Sequence, residues 1–144
     1  MPYWRLFYHI VFGTKGGHPM ITAAIEDRLL RYIHRKAEEM GGIVHAINGT
    51  ETHIHIAVSV PPKIALTDFI ARIKGSSSHY VNHSCQPIPM RFAWQTEYGL
   101  LSFGEKQLEW VVEYIKNQKE HHRQGTVLGG LEYGGWRPAA KPSG

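Results

Sequence analysis

The ten residues Glu51-Thr52-His53-Ile54-His55-Ile56-Ala57-Val58-Ser59-Val60 constrain this chain more than any other stretch. Ile54, Ile56, Val58 and Val60 fall on one side of a period-two pattern, and His53, His55, Ala57 and Ser59 on the other. That alternation is the mark of a strand with one face on a core. The apolar side then turns both imidazoles to the opposite face, one beside the other. Two neighbouring neutral imidazoles are half of a divalent-metal site; they are equally the polar face of an ordinary strand. Ala57 and Ser59 are small enough to let another group approach the sheet beside them.

The rest of the chain supplies the partners of that strand. Tyr3 to Phe12 reads as a first strand, rich in aromatic and β-branched residues. Ile25, Leu29, Ile33 and Ala37 recur every four residues, which predicts an amphipathic helix stopped by Gly41-Gly42. Ile43 to Ile47 is a second strand, and Asn48-Gly49 is a turn signal that leads into the histidine strand as a hairpin. Pro61-Pro62 ends that strand. Leu66, Phe69, Ile70 and Ile73 mark a second helix that can continue through Ser76-Ser77-Ser78 to Val81 or kink there. Phe92 to Phe103 reads as a fourth strand, and Leu108, Val111, Val112 and Ile115 define a third helix running to about Arg123. The order β-α-β-β-α-β plus a helix predicts an α+β, ferredoxin-like (split β-α-β) antiparallel sheet. Two helices would cover the Ile54, Ile56 and Val58 face, leaving the His53 and His55 face open to a ligand or a further helix.

A chain of 144 residues suits one domain, over 1–124, followed by an irregular Gly- and Pro-rich tail over 125–144. No apolar run is long enough to span a bilayer, and the N-terminus lacks a basic-then-apolar signal pattern, so a cytoplasmic protein with no membrane partner is expected. The single cysteine, Cys85, excludes an intramolecular disulfide and a cysteine-based zinc cage. Net charge is +4, with Lys15, Arg72, Lys74, Lys116, Lys119 and Arg123 near the polar motifs, which suits a phosphate-rich partner.

On the third helix Tyr114 and Gln118 are four apart and share a face at the shoulder of the apolar stripe. Laid on the open sheet face, this helix would present a phenol and an amide oxygen to the histidine pair. Each residue alone also has an ordinary reading: Tyr114 as an amphipathic residue at the core edge, Gln118 as a solvated helix residue. His121 and His122 are near the site or on a solvated helix end. His9 on the first strand either contacts the site or is a satisfied strand histidine. Lys74-Gly75-Ser76-Ser77-Ser78 offers a cation and hydroxyls for phosphates, or is a frayed helix end. Arg72 and Lys15 are further candidate phosphate contacts. Trp94, Tyr98, Trp110 and Trp136 are candidates for stacking on unpaired bases, though Trp94 reads rather as a core or dimer-interface residue.

His53-Ile54-His55, Tyr114 followed by Gln118, and the element order together resemble the single-tyrosine HUH transposases, small insertion-sequence enzymes that act on single-stranded DNA. Tyr8-His9-Ile10-Val11-Phe12-Gly13-Thr14-Lys15, Val58-Ser59-Val60-Pro61-Pro62, Ile73-Lys74-Gly75-Ser76-Ser77, Phe92-Ala93-Trp94-Gln95 and Tyr114 to His122 extend the likeness over about Tyr3 to Arg123. The resemblance implies Tyr114 as nucleophile and His53, His55 and Gln118 as ligands of magnesium or manganese. It further implies DNA with hairpin ends as substrate and an obligate homodimer in which one subunit's tyrosine helix can serve the other; Lys15, Arg72, Lys74, Ser76 and Ser77 are candidate DNA contacts on their own chemistry. Where the family usually carries Asp before the first histidine, this chain has Thr52, with Glu51 one further back.

Three other functions compete. RNA-recognition domains use a similar open sheet but centre it on aromatics, and the His53/His55 side of this strand has none. A histidine-triad nucleotide hydrolase would need a third histidine where Ala57 stands. A domesticated relative that binds DNA without mobilising an element would keep the fold and lose the cutting.

Overall fold

Strand β1 (Phe7–Thr14) is the hub of the sheet. The computed structural model describes residues 4–119, so the 125–144 tail, His121, His122, Arg123 and Trp136 lie outside the described residues, as does the 124/125 boundary. Helix α1 (Ala23–Glu39) follows, then β2 (Ile43–Gly49), β3 (His53–Ser59), α2 (Leu66–Ser84), β4 (Trp94–Phe103) and α3 (Leu108–Lys116). The sheet order is β2-β3-β1-β4, and every neighbouring pair is antiparallel. This is the expected split β-α-β arrangement. Among the described residues no helix is long and apolar enough to cross a membrane.

Periodicity decides what each face buries. Ile54, Ile56 and Val58 of β3 join Ile10 and Phe12 of β1 beneath Leu29 and Ile33 of α1 and Phe69, Ile70 and Ile73 of α2. Each fully buried aliphatic side chain there contributes ~1.5–3 kcal/mol. On the opposite face Ala46 and Ala57 form a second, smaller core with Val111 and Ile115 of α3. The face expected to stand open is therefore covered in part by the chain's own third helix, which lies over β2 and β3. Two methyl-sized side chains let that helix approach.

Element ends differ from the sequence expectation for identifiable reasons. The first strand is Phe7–Thr14, not Tyr3 to Phe12, because pairing to both neighbours starts at Phe7 and the Thr14 N–H still donates to Thr52 O at 2.9 Å. The fourth strand starts at Trp94, since Phe92 is tied to α2: its N–H donates to Asn82 Oδ1 (2.8 Å) and its carbonyl accepts from Asn82 Nδ2 (2.9 Å). Helix α2 passes through Ser76-Ser77-Ser78 without a kink. All three hydroxyls bond back to carbonyls of the preceding turn, Ser76 to Arg72 O at 2.7 Å, Ser77 to Lys74 O at 3.2 Å and Ser78 to Gly75 O at 3.1 Å. The third helix breaks at Asn117 (φ −100°, ψ 23°), and helical structure resumes at Gln118.

Asn48-Gly49 is not the hairpin turn. Both residues belong to β2, opposite His55 and Ile54, and residues 50–52 make the connection, with Thr50 N–H donating to His53 O at 2.9 Å. Gly49 is needed for close approach: a Cβ there would lie 2.3 Å from His53 O and 2.8 Å from Ile54 Cδ1. Upstream, the β2–β3 register shifts between Val44 and Ala46, which leaves His45 as an extra residue. The slip changes the phase of the strand. Val44 and Ile47 both pack on the main core, whereas Ala46 and Asn48 turn toward α3.

Two outcomes follow. Gly49→Ala should destabilise the fold by ~1–3 kcal/mol through overpacking, read as a lower denaturant midpoint with little change in slope. Burial, with repulsion from Arg5 second, holds the His45 pKa below 6.5. The unfolded chain takes up that proton first as pH falls, so stability present above about 6.5 is lost below it. His45→Gln should therefore flatten the decline in melting temperature between about pH 7 and 5 relative to the parent chain.

Candidate active site

The phase of β3 places His53 and His55 on the α3 side of the sheet, with ring centroids 6.4 Å apart and planes at 45°. His55 is fully buried and His53 partly so. Each ring is held through Nδ1. Thr52 Oγ1 lies 2.8 Å from His53 Nδ1, and His9 Nε2 lies 3.0 Å from His55 Nδ1, with the His9 and His55 rings stacked at 5.2 Å. His9, which sequence left between two readings, is thus a buried partner of the second histidine. Thr52 does by a hydroxyl what a carboxylate would do at that position: it orients the adjacent imidazole.

Helix α3 contributes Tyr114, buried one turn from the half-exposed Trp110 (ring centroids 5.9 Å apart), and Gln118, fully buried just past the break. Val111 and Ile115 seat this helix on Ala46 and Ala57, which share the histidine face. His53, His55, Tyr114 and Gln118 therefore belong to one layer, between the sheet and α3. Among the described residues no three His, Cys, Asp or Glu side chains gather closely enough to hold an ion. Among the described residues, the Gln118 amide supplies a hard oxygen donor in the same layer as the two imidazoles.

The candidate DNA contacts are dispersed. Lys15 is exposed in the short turn after β1, at the end of the sheet where His53 enters β3. Arg72, Lys74, Ser76 and Ser77 lie on α2, across the sheet from the histidines. Arg72 is exposed. Ser77 is buried and accepts from Trp94 Nε1–H at 3.0 Å, in the core beside Phe12 and Phe92. Lys74 has a backbone role. The β1–β4 register slips between Phe12/Tyr98 and Thr14/Trp94, so residues 95–97 bulge. Lys74 Nζ donates to the carbonyls of Gln95, Thr96 (3.0 Å) and Glu97 (3.4 Å), and burial lowers its pKa. One ammonium meets three carbonyls at the slip.

What sequence reasoning missed is Asn48. Its Nδ2 donates to Ile115 O (3.1 Å) and Lys116 O (3.0 Å), and its Oδ1 accepts from Gly49 N–H (2.8 Å) and Lys119 Nζ (2.9 Å). The Asn-Gly pair signals a turn, and only the bulge at His45 reveals that it faces a helix end.

The antiparallel sheet with two helices beneath and a third across the histidine face defines the class. Residues 2–118 match the family model described as "Transposase IS200 like", and the chain belongs to that family. Among characterised relatives it is similar to the ISDra2 transposase TnpA of Deinococcus radiodurans, with 22% identity over 121 residues, covering 81% of this chain and 86% of the relative. It is also similar to the transposase for insertion sequence element IS200 of Salmonella typhimurium, 25% identical over 130 residues, covering 87% and 84%. A solved structure of a candidate transposase from Deinococcus radiodurans R1 superposes with a TM-score of 0.63 at 22% identity, over 82% of this chain and 95% of that one. The REP-associated tyrosine transposase, solved bound to a REP hairpin, gives 0.62 at 15% identity, over 88% and 76%.

Because Lys74 serves the bulge, Lys74→Met should cost ~1–3 kcal/mol from carbonyls left unsatisfied, whereas Arg72→Ala should stay within ~0.5 kcal/mol. Paired denaturant titrations of the two variants check this.

Proposed function

We propose that this chain is a metal-dependent DNA transposase that cleaves and rejoins single-stranded DNA through a covalent link to Tyr114. The observation that carries the reading is the placement of α3, with Tyr114 and Gln118, on the same sheet face as His53 and His55. Family membership implies a metal-dependent nuclease, and the donor set fits magnesium or manganese. His53 and His55 would bind through Nε2, since Thr52 and His9 engage Nδ1 of each, and Gln118 would add its amide oxygen. Such an ion supplies Lewis-acid polarisation of a phosphodiester.

Tyr114 supplies the nucleophile. A phenol with pKa ~10 is mostly protonated at neutral pH, so attack requires loss of its proton as the O–P bond forms. The bond from phosphorus to the 3′ oxygen breaks, and that oxygen takes up a proton. The DNA 5′ end is left as a phosphotyrosine ester. Attack by another 3′ hydroxyl reverses these steps, so rejoining needs no nucleotide cofactor. Docking of α3 on its own sheet supports action of Tyr114 on the histidine pair of the same subunit within a homodimer. The relative solved on a REP hairpin supports DNA with hairpin ends as the substrate. Lys15, exposed near His53, and Arg72 are the cations offered to backbone phosphates.

Incubation with labelled single-stranded DNA bearing a hairpin, plus magnesium or manganese, should give a denaturant-resistant protein–DNA adduct that a chelator suppresses. Tyr114→Phe should remove the adduct altogether, and His53→Ala should sharply reduce it and raise the metal concentration it requires. An adduct that survives Tyr114→Phe would place the nucleophile elsewhere. Hairpin binding with no cleavage by the parent chain would shift the reading to a DNA-binding relative that no longer mobilises an element.

A further inference from the structure

The last turn of a helix leaves carbonyls without intrahelical partners. At α3 the Asn117 N–H serves Glu113 O and Ile115 O, and the carbonyls of Ile115 and Lys116, between Tyr114 and Gln118, both accept from one side chain, Asn48 Nδ2, reaching across from β2. The other end of the same amide accepts from Lys119 Nζ, which also donates to Glu26 Oε2 in the first turn of α1. Asn48 thus ties β2 to both sides of the break at Asn117, and Lys119 carries the tie on to α1. Glu26 and Lys119 also line a cleft of about 460 Å³, with Ile21, Thr50, Glu51 and Thr52, next to the start of the histidine strand.

The chemistry demands an amide. Two carbonyl oxygens require a donor, while an ammonium and a backbone N–H require an acceptor, and an asparagine side chain is both. Aspartate would retain the acceptor for Lys119 and Gly49 but set a negative charge against two carbonyl oxygens at the negative end of α3. The bulge at His45 is what turns Asn48 to this face.

We infer that Asn48 is a positioning residue: its amide latches the end of α3 to its own sheet, fixing where Tyr114 and Gln118 stand relative to the histidine pair. The catalytic consequence rests on the transposase reading above; the latch itself does not.

The test uses the full chain carrying Asn48→Asp or Asn48→Ala, with two readouts. The first is hydrogen exchange of the backbone amides of residues 111–119, without DNA or metal. Asn48→Asp should speed exchange there at least tenfold, and more than Asn48→Ala does. The second is single-turnover adduct formation at saturating hairpin-bearing single-stranded DNA. Asn48→Asp should slow it at least tenfold while the dissociation constant for that DNA changes less than twofold. If Asn48 only closes the β2–β3 connection through Gly49, aspartate keeps that bond and should be the milder variant; that order would overturn the inference, as would unchanged exchange. If the parent chain forms no adduct, the transposase reading fails while the exchange data still decide the latch. Should Asn48→Asp not fold, Lys119→Met releases Asn48 Oδ1 and Glu26 without altering β2. A several-fold rise in exchange at 115–119 is then expected, and no rise overturns the latch.

Discussion

The structure depends on one strand being buried on both faces with different chemistry on each. Ile54, Ile56 and Val58 enter a dense aliphatic core, while His55 and Ala57 are sealed beneath α3. A period of two allows no compromise between the faces: a slip of one residue would exchange isoleucines for imidazoles. The main core thus holds the histidines in register without touching them. Burial of His55 has its own requirement, because a buried ring nitrogen needs a partner. His9 supplies one from the neighbouring strand, also fully buried, and His53 at the rim is met by a hydroxyl from the adjacent residue.

This second layer of contacts bears on the chemistry. A carboxylate next to a metal-binding imidazole raises its basicity by favouring positive charge on the ring; a threonine hydroxyl, which can donate or accept, orients the ring with less electrostatic effect. His53 therefore meets a neutral partner and His55 another imidazole. Helix α3 follows the same economy. The small Ala46 and Ala57 pack directly against Val111 and Ile115, and Tyr114 and Gln118 of the same segment are buried.

Much of this was legible because it rides on periodicity. The four-residue recurrence in α1, the alternation in β3 and the small residues beside its histidines each reported a local rule that the fold obeys. The layer holding His53, His55, Tyr114 and Gln118 followed from the same patterns together with a family likeness. The illegible parts are those where one residue out of phase changes a face. The extra residue at His45 reverses the sides of Ala46 and Asn48, yet Ile43-Val44-His45-Ala46-Ile47 reads as a plain strand. The slip at 95–97 likewise has no signature in Gln95-Thr96-Glu97. Residue type misleads at the same places. An Asn-Gly pair normally reports a turn, and a lysine before a run of serines reports a phosphate contact; here the first ends a helix and the second satisfies a bulge.

Lys74 and Asn48 share one physical device. Wherever a regular element breaks, backbone carbonyls lose their partners, and burying them unpaired is costly. At each break a polar side chain from a different element supplies the missing donor: α2 serves β4 through Lys74, and β2 serves α3 through Asn48. The two differ in what they leave adjustable. Lys74 reaches over a sheet edge whose strand is already paired to β1, so its bonds trim a distortion. Asn48 acts on a nine-residue helix too short to be stable alone and held to the sheet by a small apolar contact. For such a helix a pair of hydrogen bonds at one end is a large share of what keeps it docked. The segment that carries the phenol is thus a short helix docked by a small apolar contact and by a side-chain amide at its end.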